Sequence, residues 1–256
     1  MNKLFYFVLM LSGVVVSCSD SPTKGEMGKV TNEVTVGEAG TITFKASDGL
    51  DITADYYPNE DATKIIILCH QAGFSRGEYK DIAPKLVDSG YACLAIDQRS
   101  GKVVNDIINE TAQLAEEKGL STKYIDAKQD ILAAIGYVSA NTDKEIILWG
   151  SSYSASLALI IGAVDERVTK VVAFSPGEFL DSQNTVRENI PGMRKPVFIT
   201  GGSAEFGLVV DPILKVLPKQ YVTYVKPVGD SDHGSKTLWI NSINTTTTYE
   251  ALFNFL

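Results

Sequence analysis

Six short and almost uninterrupted apolar runs, at residues 64–69, 92–97, 145–149, 169–174, 196–200 and 221–225, are separated by segments of helical length. A run this short and apolar at both even and odd positions reads as a strand covered on both faces. The segments 78–89, 124–139, 153–164, 212–217 and 249–256 carry apolar residues at helical spacing. Strand and helix in alternation leave few architectures. The chain is predicted to be an α/β protein with a mostly parallel, doubly wound sheet and right-handed crossovers. Upstream, residues 41–46 and 51–57 alternate in polarity on either side of Ser47-Asp48-Gly49, which predicts an opening antiparallel hairpin. Two connections are long for such units. One, 101–122, contains the amphipathic stretch 105–117, expected to be helical; the other, 177–195, is too short to form a cap domain. The mouth of any site between them is expected to be open.

Before the strands begin, Asn2-Lys3 supplies a short positive start and residues 4–16 are apolar apart from Ser12 and Gly13. This is the layout of an export signal, and the run is too short to span a bilayer. It ends in Val15-Val16-Ser17-Cys18, which resembles the lipobox of bacterial lipoproteins. The resemblance implies a signal peptide over 1–17 and a diacylglyceryl group on Cys18. It also implies an exported protein, lipid-anchored to a bacterial membrane on its periplasmic or cell-surface side. Residues 18–33 are polar and aperiodic, as a flexible tether would be, and the folded domain is expected over 34–256.

A formal net charge of −8 argues against nucleic acid as a partner, because binding a phosphate backbone needs clustered lysine and arginine. Two histidines far apart and no cysteine pair cannot build an ordinary zinc site, and no glycine-rich phosphate loop or dinucleotide fingerprint occurs. No metal or cofactor is therefore expected. Cys69 and Cys93 are expected to be buried, unpaired thiols. Asp165-Glu166-Arg167 and residues 126–130 read as solvated helix ends.

The segment Gly150-Ser151-Ser152-Tyr153-Ser154 joins the strand at 145–149 to a helix rich in small residues. It resembles the nucleophile elbow of the α/β-hydrolase family, with Ser152 as nucleophile and small residues two before and two after it, so that strand and helix can pass closely. Ser154 stands where that family usually has a second glycine. A serine hydroxyl needs a base, itself held by a carboxylate, and the family order is nucleophile, acid, histidine. Of the two histidines only His233 follows Ser152, in the loop Gly229-Asp-Ser-Asp-His-Gly-Ser235 where the family's catalytic histidine belongs. The acid position falls on Glu205, with Asp211, Asp230 and Asp232 as alternatives. The resemblance places the oxyanion donors at the Tyr153 N–H and in His70-Gln71-Ala72-Gly73, at Ala72 in preference to Gln71. His70, which precedes the nucleophile, is read as bracing that loop, and Asp97-Gln-Arg-Ser-Gly101 as scaffold.

The resemblance covers residues 41 to the C-terminus and fits the small carboxylesterase and dienelactone-hydrolase-like branch. Dienelactone hydrolases proper use cysteine where this chain has serine. The expectation is a serine hydrolase of ester-type bonds, acting on a small or medium substrate through an acyl-enzyme on a Ser152-Glu205-His233 triad. The rivals are a peptidase or acyltransferase on the same fold, or a surface lipoprotein that only binds.

Overall fold

The structure, a computed structural model, describes residues 39–256. The expected signal peptide, Cys18 and the expected tether lie outside the described residues. Strands β1 (Gly40–Lys45) and β2 (Asp51–Tyr57) form the opening antiparallel hairpin. β2 continues antiparallel onto β4 (Ala92–Ile96), and every later pairing in the sheet is parallel. With β3 (Lys64–Cys69), β7 (Glu145–Ser151), β8 (Val168–Phe174), β9 (Val197–Thr200) and β10 (Val222–Tyr224), the eight-stranded order is β1-β2-β4-β3-β7-β8-β9-β10. The fold is the α/β architecture expected from the alternation, with no cap domain among the described residues.

β3 shows why the runs read as continuous. Ile65, Ile67 and Cys69 join the core layer on one face, with Ile131, Ala134 and Val138 of α3 (Lys128–Asn141) and Leu157 and Ile161 of α4 (Tyr153–Val164). Ile66 and Leu68 join the other layer, with Leu86 of α1 (Ala83–Asp88) and Leu252 of α7 (Thr245–Phe255). Each such side chain contributes about 1.5–3 kcal/mol by leaving water, so a polar residue at either parity would be costly. Cys69 faces Ile96 and Cys93 faces Ile66 across the β3–β4 ladder, so the two thiols are out of register, buried and free.

Three expectations need correction. The run 221–225, read as covered on both faces, ends in the edge strand β10, where Thr223 and Tyr224 are exposed. The stretch 105–117 is only partly helical: β5 (Val103–Val104) and β6 (Ile107–Ile108) make a two-residue-loop ribbon, and α2 runs over Glu110–Glu117. Asn105 and Asp106 adopt φ of 51° and 64°, the left-handed pair that a tight hairpin turn demands. Asn109 then starts the helix by accepting from the Ala112 N–H at 2.7 Å. Asp130, read as a solvated helix end, is fully buried. Its carboxylate takes the Arg99 side chain at 2.7 Å and the Arg99 N–H at 2.8 Å, while Asp48 takes the same guanidinium at 2.8 Å. A buried guanidinium requires a countercharge, and spacing along one helix cannot reveal a partner 31 residues away. Arg76 likewise binds Asp97 at 2.6 Å and Asp55 at 2.9 Å, so the turn after β4 is held by two buried ion-pair groups. The remaining α-helices, α5 (Thr185–Asn189) and α6 (Val210–Val216), are short and lie in the connections after β8 and β9.

Candidate active site

β7 runs straight into α4, and the junction is Ser152, with φ 60° and ψ −122°. A side-chain-bearing residue there stores roughly 1–3 kcal/mol of backbone strain. The turn is possible because Gly150 has no Cβ: one placed there would lie 2.2 Å from the Ser154 carbonyl oxygen. Ser154, the departure from the usual elbow, uses its hydroxyl. It accepts the Ser151 N–H at 3.0 Å and lies within 2.8 Å of the carbonyl oxygens of Cys69, His70 and Ser151. The hydroxyl thereby ties the elbow to the end of β3.

The loop after β3 is braced by His70, as expected. Its Nδ1–H donates to the Gln71 carbonyl at 2.8 Å, while Nε2 accepts from the Gln98 N–H at 3.1 Å and the Asn109 amide at 3.0 Å. Burial pulls its pKa down to about 4, so the ring is neutral.

His233 and Glu205 are brought together: the Nδ1 of His233 hydrogen-bonds Glu205 Oε1. Glu205 Oε2 accepts the Gly202 N–H at 2.8 Å. Burial alone would raise the Glu205 pKa, but hydrogen bonds from His233, Ser175 and Gly202 outweigh it and hold the carboxyl below its ordinary range. None of the alternative acids bonds His233. Asp232 pairs with Lys236 at 3.0 Å and Ser242 at 2.6 Å, Asp211 sits in the first turn of α6, and Asp230 is exposed.

Several residues that organise this site were missed in the sequence. Ser175, at φ 54°, accepts the Gly234 N–H at 2.8 Å, so its hydroxyl fixes the backbone beside the histidine. Gly234 sits against Ser151, whose Oγ would be 2.4 Å from an added Cβ. Glu78 is fully buried and joins three loops: its carboxylate accepts the Gln71 N–H at 2.7 Å and the Ser151 hydroxyl at 2.8 Å, and that hydroxyl accepts the Ser235 N–H at 2.8 Å. Burial pushes its pKa from 4.5 up to about 7, with the Gln71 and Ser151 bonds and the charge of His233 pulling partly back.

A pH dependence follows from Glu78. Between pH 4.5 and about 7 the native carboxyl keeps a proton that the unfolded chain has released, so its contribution to stability is complete below 4.5 and is lost as pH rises through 7. The loss amounts to roughly 3 kcal/mol at most. Glu78→Gln keeps the neutral form's hydrogen bonds and removes the titration. Urea unfolding from pH 4.5 to 8 should show the wild type losing stability relative to Glu78→Gln across that window; parallel curves would refute the assignment.

Around the site, the Tyr124 ring stacks on Tyr153 at 4.4 Å, and the Phe179 ring meets the His233 ring edge-on at 6.4 Å. Between these two segments lies a cleft of about 480 Å³, lined by Ser100 and residues 122–125 on one side and residues 179–181 on the other. Among the described residues no cluster of three or more His, Cys, Asp or Glu residues forms a metal-binding group.

Known structures share this fold, and one curated protein shares part of the sequence. An esterase of Pyrococcus furiosus superposes with a TM-score of 0.65 at 17% identity, covering 86% of this chain and 92% of its own. A dienelactone hydrolase from Anabaena variabilis superposes with a TM-score of 0.63 at 16% identity, covering 86% and 97%. The quorum-quenching protein AidA of Acinetobacter baumannii is 28% identical over 159 residues, which is 59% of this chain and 47% of that protein; the chain thus matches about half of that relative's length. Residues 52–212, most of the folded chain and including the elbow and Glu205, match the dienelactone hydrolase family. The chain therefore belongs to the dienelactone hydrolase family.

Proposed function

We propose that the protein is a serine hydrolase that cleaves ester-type bonds of small or medium substrates through an acyl-enzyme on Ser152, Glu205 and His233. The observation that carries this reading is the hydrogen bond between His233 Nδ1 and Glu205, in a loop that Ser175, Ser151 and Glu78 tie to the elbow of Ser152. With Nδ1 engaged by the carboxylate, Nε2 is the nitrogen that takes the Ser152 proton as Oγ attacks the carbonyl carbon. Glu205, ionised throughout the working range, orients the ring and stabilises the imidazolium. His233 returns the proton to the leaving alcohol oxygen, and water, deprotonated by the same nitrogen, then releases the acid and regenerates Ser152.

The tetrahedral oxyanion takes hydrogen bonds from the Tyr153 N–H, at the first residue of α4, and from the Ala72 N–H. Ala72 is preferred to Gln71 because the Gln71 N–H is already committed to Glu78. Incubation with a fluorophosphonate should add one phosphonyl group at Ser152, and p-nitrophenyl esters from acetate to octanoate should be turned over. Absence of both would leave the binding-only reading in its place.

The same reading puts the enzyme on a membrane through a lipid on Cys18, with a small-molecule ester as its partner. A palmitate analogue should label the wild type in growing cells and fail to label Cys18→Ala; label that persists in the variant would refute the anchor.

A further inference from the structure

We propose that the cleft between residues 122–125 and 179–181 is a subsite for a neutral aromatic ring carried by the ester; this rests on the serine-hydrolase reading above. Its position is set by the reacting residues themselves. One wall, Tyr124, stacks at 4.4 Å on the ring of Tyr153, the residue after Ser152, and the Tyr153 hydroxyl donates to the Ser100 carbonyl at 3.2 Å at the cleft edge. The other wall, Phe179, packs edge-on against His233. Each wall thus touches the ring of one residue at the reacting set, Tyr124 that of Tyr153 and Phe179 that of His233.

Both walls are held before any ligand arrives. Phe179 lies over Gly177, where a Cβ would come within 2.7 Å of its ring, and Gly177 is fastened to Ser156 by hydrogen bonds of 2.6 and 3.2 Å. Ile125 and Leu180 pack against the core and add apolar surface beside the two rings, while Ser100, Thr122, Lys123 and Asp181 make the rest of the lining polar. A volume of about 480 Å³ falls within the range of roughly 300–1,000 Å³ usual for small-ligand sites. The cleft is open and bordered by rings. A flexible alkyl chain laid in it would lose rotational freedom without an enclosing wall to compensate, whereas a rigid ring gains face and edge contacts with the tyrosine and phenylalanine. The rim carries Lys123 and Asp181, one charge of each sign, which favours a neutral group over a carboxylate or an ammonium.

The test compares methyl phenylacetate and benzyl acetate with methyl hexanoate and hexyl acetate, followed by acid release with the purified full chain in detergent. One of the two aromatic esters should exceed its alkyl counterpart in kcat/KM by about tenfold or more. Tyr124→Ala, and separately Phe179→Leu, should lower that aromatic-to-alkyl ratio by about tenfold. Equal turnover of both classes, or a ratio that neither variant changes, overturns the subsite. If a fluorophosphonate labels Ser152 yet no aromatic ester is turned over, the subsite alone fails. If Ser152 takes no label and nothing is hydrolysed, the hydrolase reading fails and the subsite with it.

Discussion

Ser152→Ala is expected to lower kcat for p-nitrophenyl acetate by about 10⁵–10⁶-fold, the size of effect seen when the nucleophile of a hydroxyl, imidazole and carboxylate set is removed. What remains is the background supplied by substrate binding and the oxyanion donors. The variant should stay folded, because the elbow is shaped by Gly150, Ser154 and the Ser152 N–H bond to the Phe174 carbonyl at 2.8 Å, none of which needs the Ser152 hydroxyl. Ser152→Gly extends the test. Glycine adopts φ 60° and ψ −122° without the cost that serine bears, so this variant should be equally inactive yet more stable by roughly 1–2 kcal/mol. Steady-state kinetics and urea unfolding on both proteins check the pair of claims. Activity within tenfold of wild type in either variant would remove Ser152 from the chemistry.

Glu205→Gln is the second large effect, with kcat expected to fall by about 10⁴-fold. The amide can hydrogen-bond His233 Nδ1 with little change of shape. However, it cannot stabilise the imidazolium, and it can hold the ring in the tautomer whose Nε2 already carries a proton. The variant thus separates charge and tautomer from mere packing. Asp232→Asn, in contrast, should keep kcat within about threefold, because Asp232 is turned toward Lys236 and Ser242. A loss in Asp232→Asn comparable with that in Glu205→Gln would reopen the choice of acid. The pH profile adds a further check. Since the Glu205 carboxyl is held below its ordinary range, a rise in kcat/KM above pH 5 reports a different group from this carboxylate.

Much of the fold was legible along the chain because the signals are local. β3, β4, β7, β8 and β9 are buried on both faces, so each appears as an apolar run whatever its neighbours are. Ser152 and His233 were legible for a similar reason: the elbow compresses into five consecutive residues, and the chain has only one histidine beyond it. Boundaries were less legible where a turn decided them. The tail of the amphipathic stretch 105–117 became α2, but Asn105 and Asp106 took the left-handed conformation and gave the first part to a ribbon.

The sequence by itself determined an α/β alternation with an opening hairpin, an elbow centred on Ser152, and a histidine loop placed after β10. The alternation and the hairpin follow from periodicity, and the elbow and histidine loop from the resemblance of residues 150–154 and 229–235 to the α/β-hydrolase pattern; neither needs knowledge of what packs against what. Only the tertiary structure decided that Glu205 rather than Asp211, Asp230 or Asp232 meets His233. It alone showed that Asp130 is a buried counterion, and that Glu78, Ser151 and Ser175 bind the three loops of the site together. Glu78 and Ser151 are 73 residues apart, and Ser175 and Gly234 are 59 apart. A carboxylate or hydroxyl looks the same in a sequence whether it faces water or another loop; its role depends on which distant donor the sheet brings within about 3 Å, a property of the packed chain rather than of any segment of it.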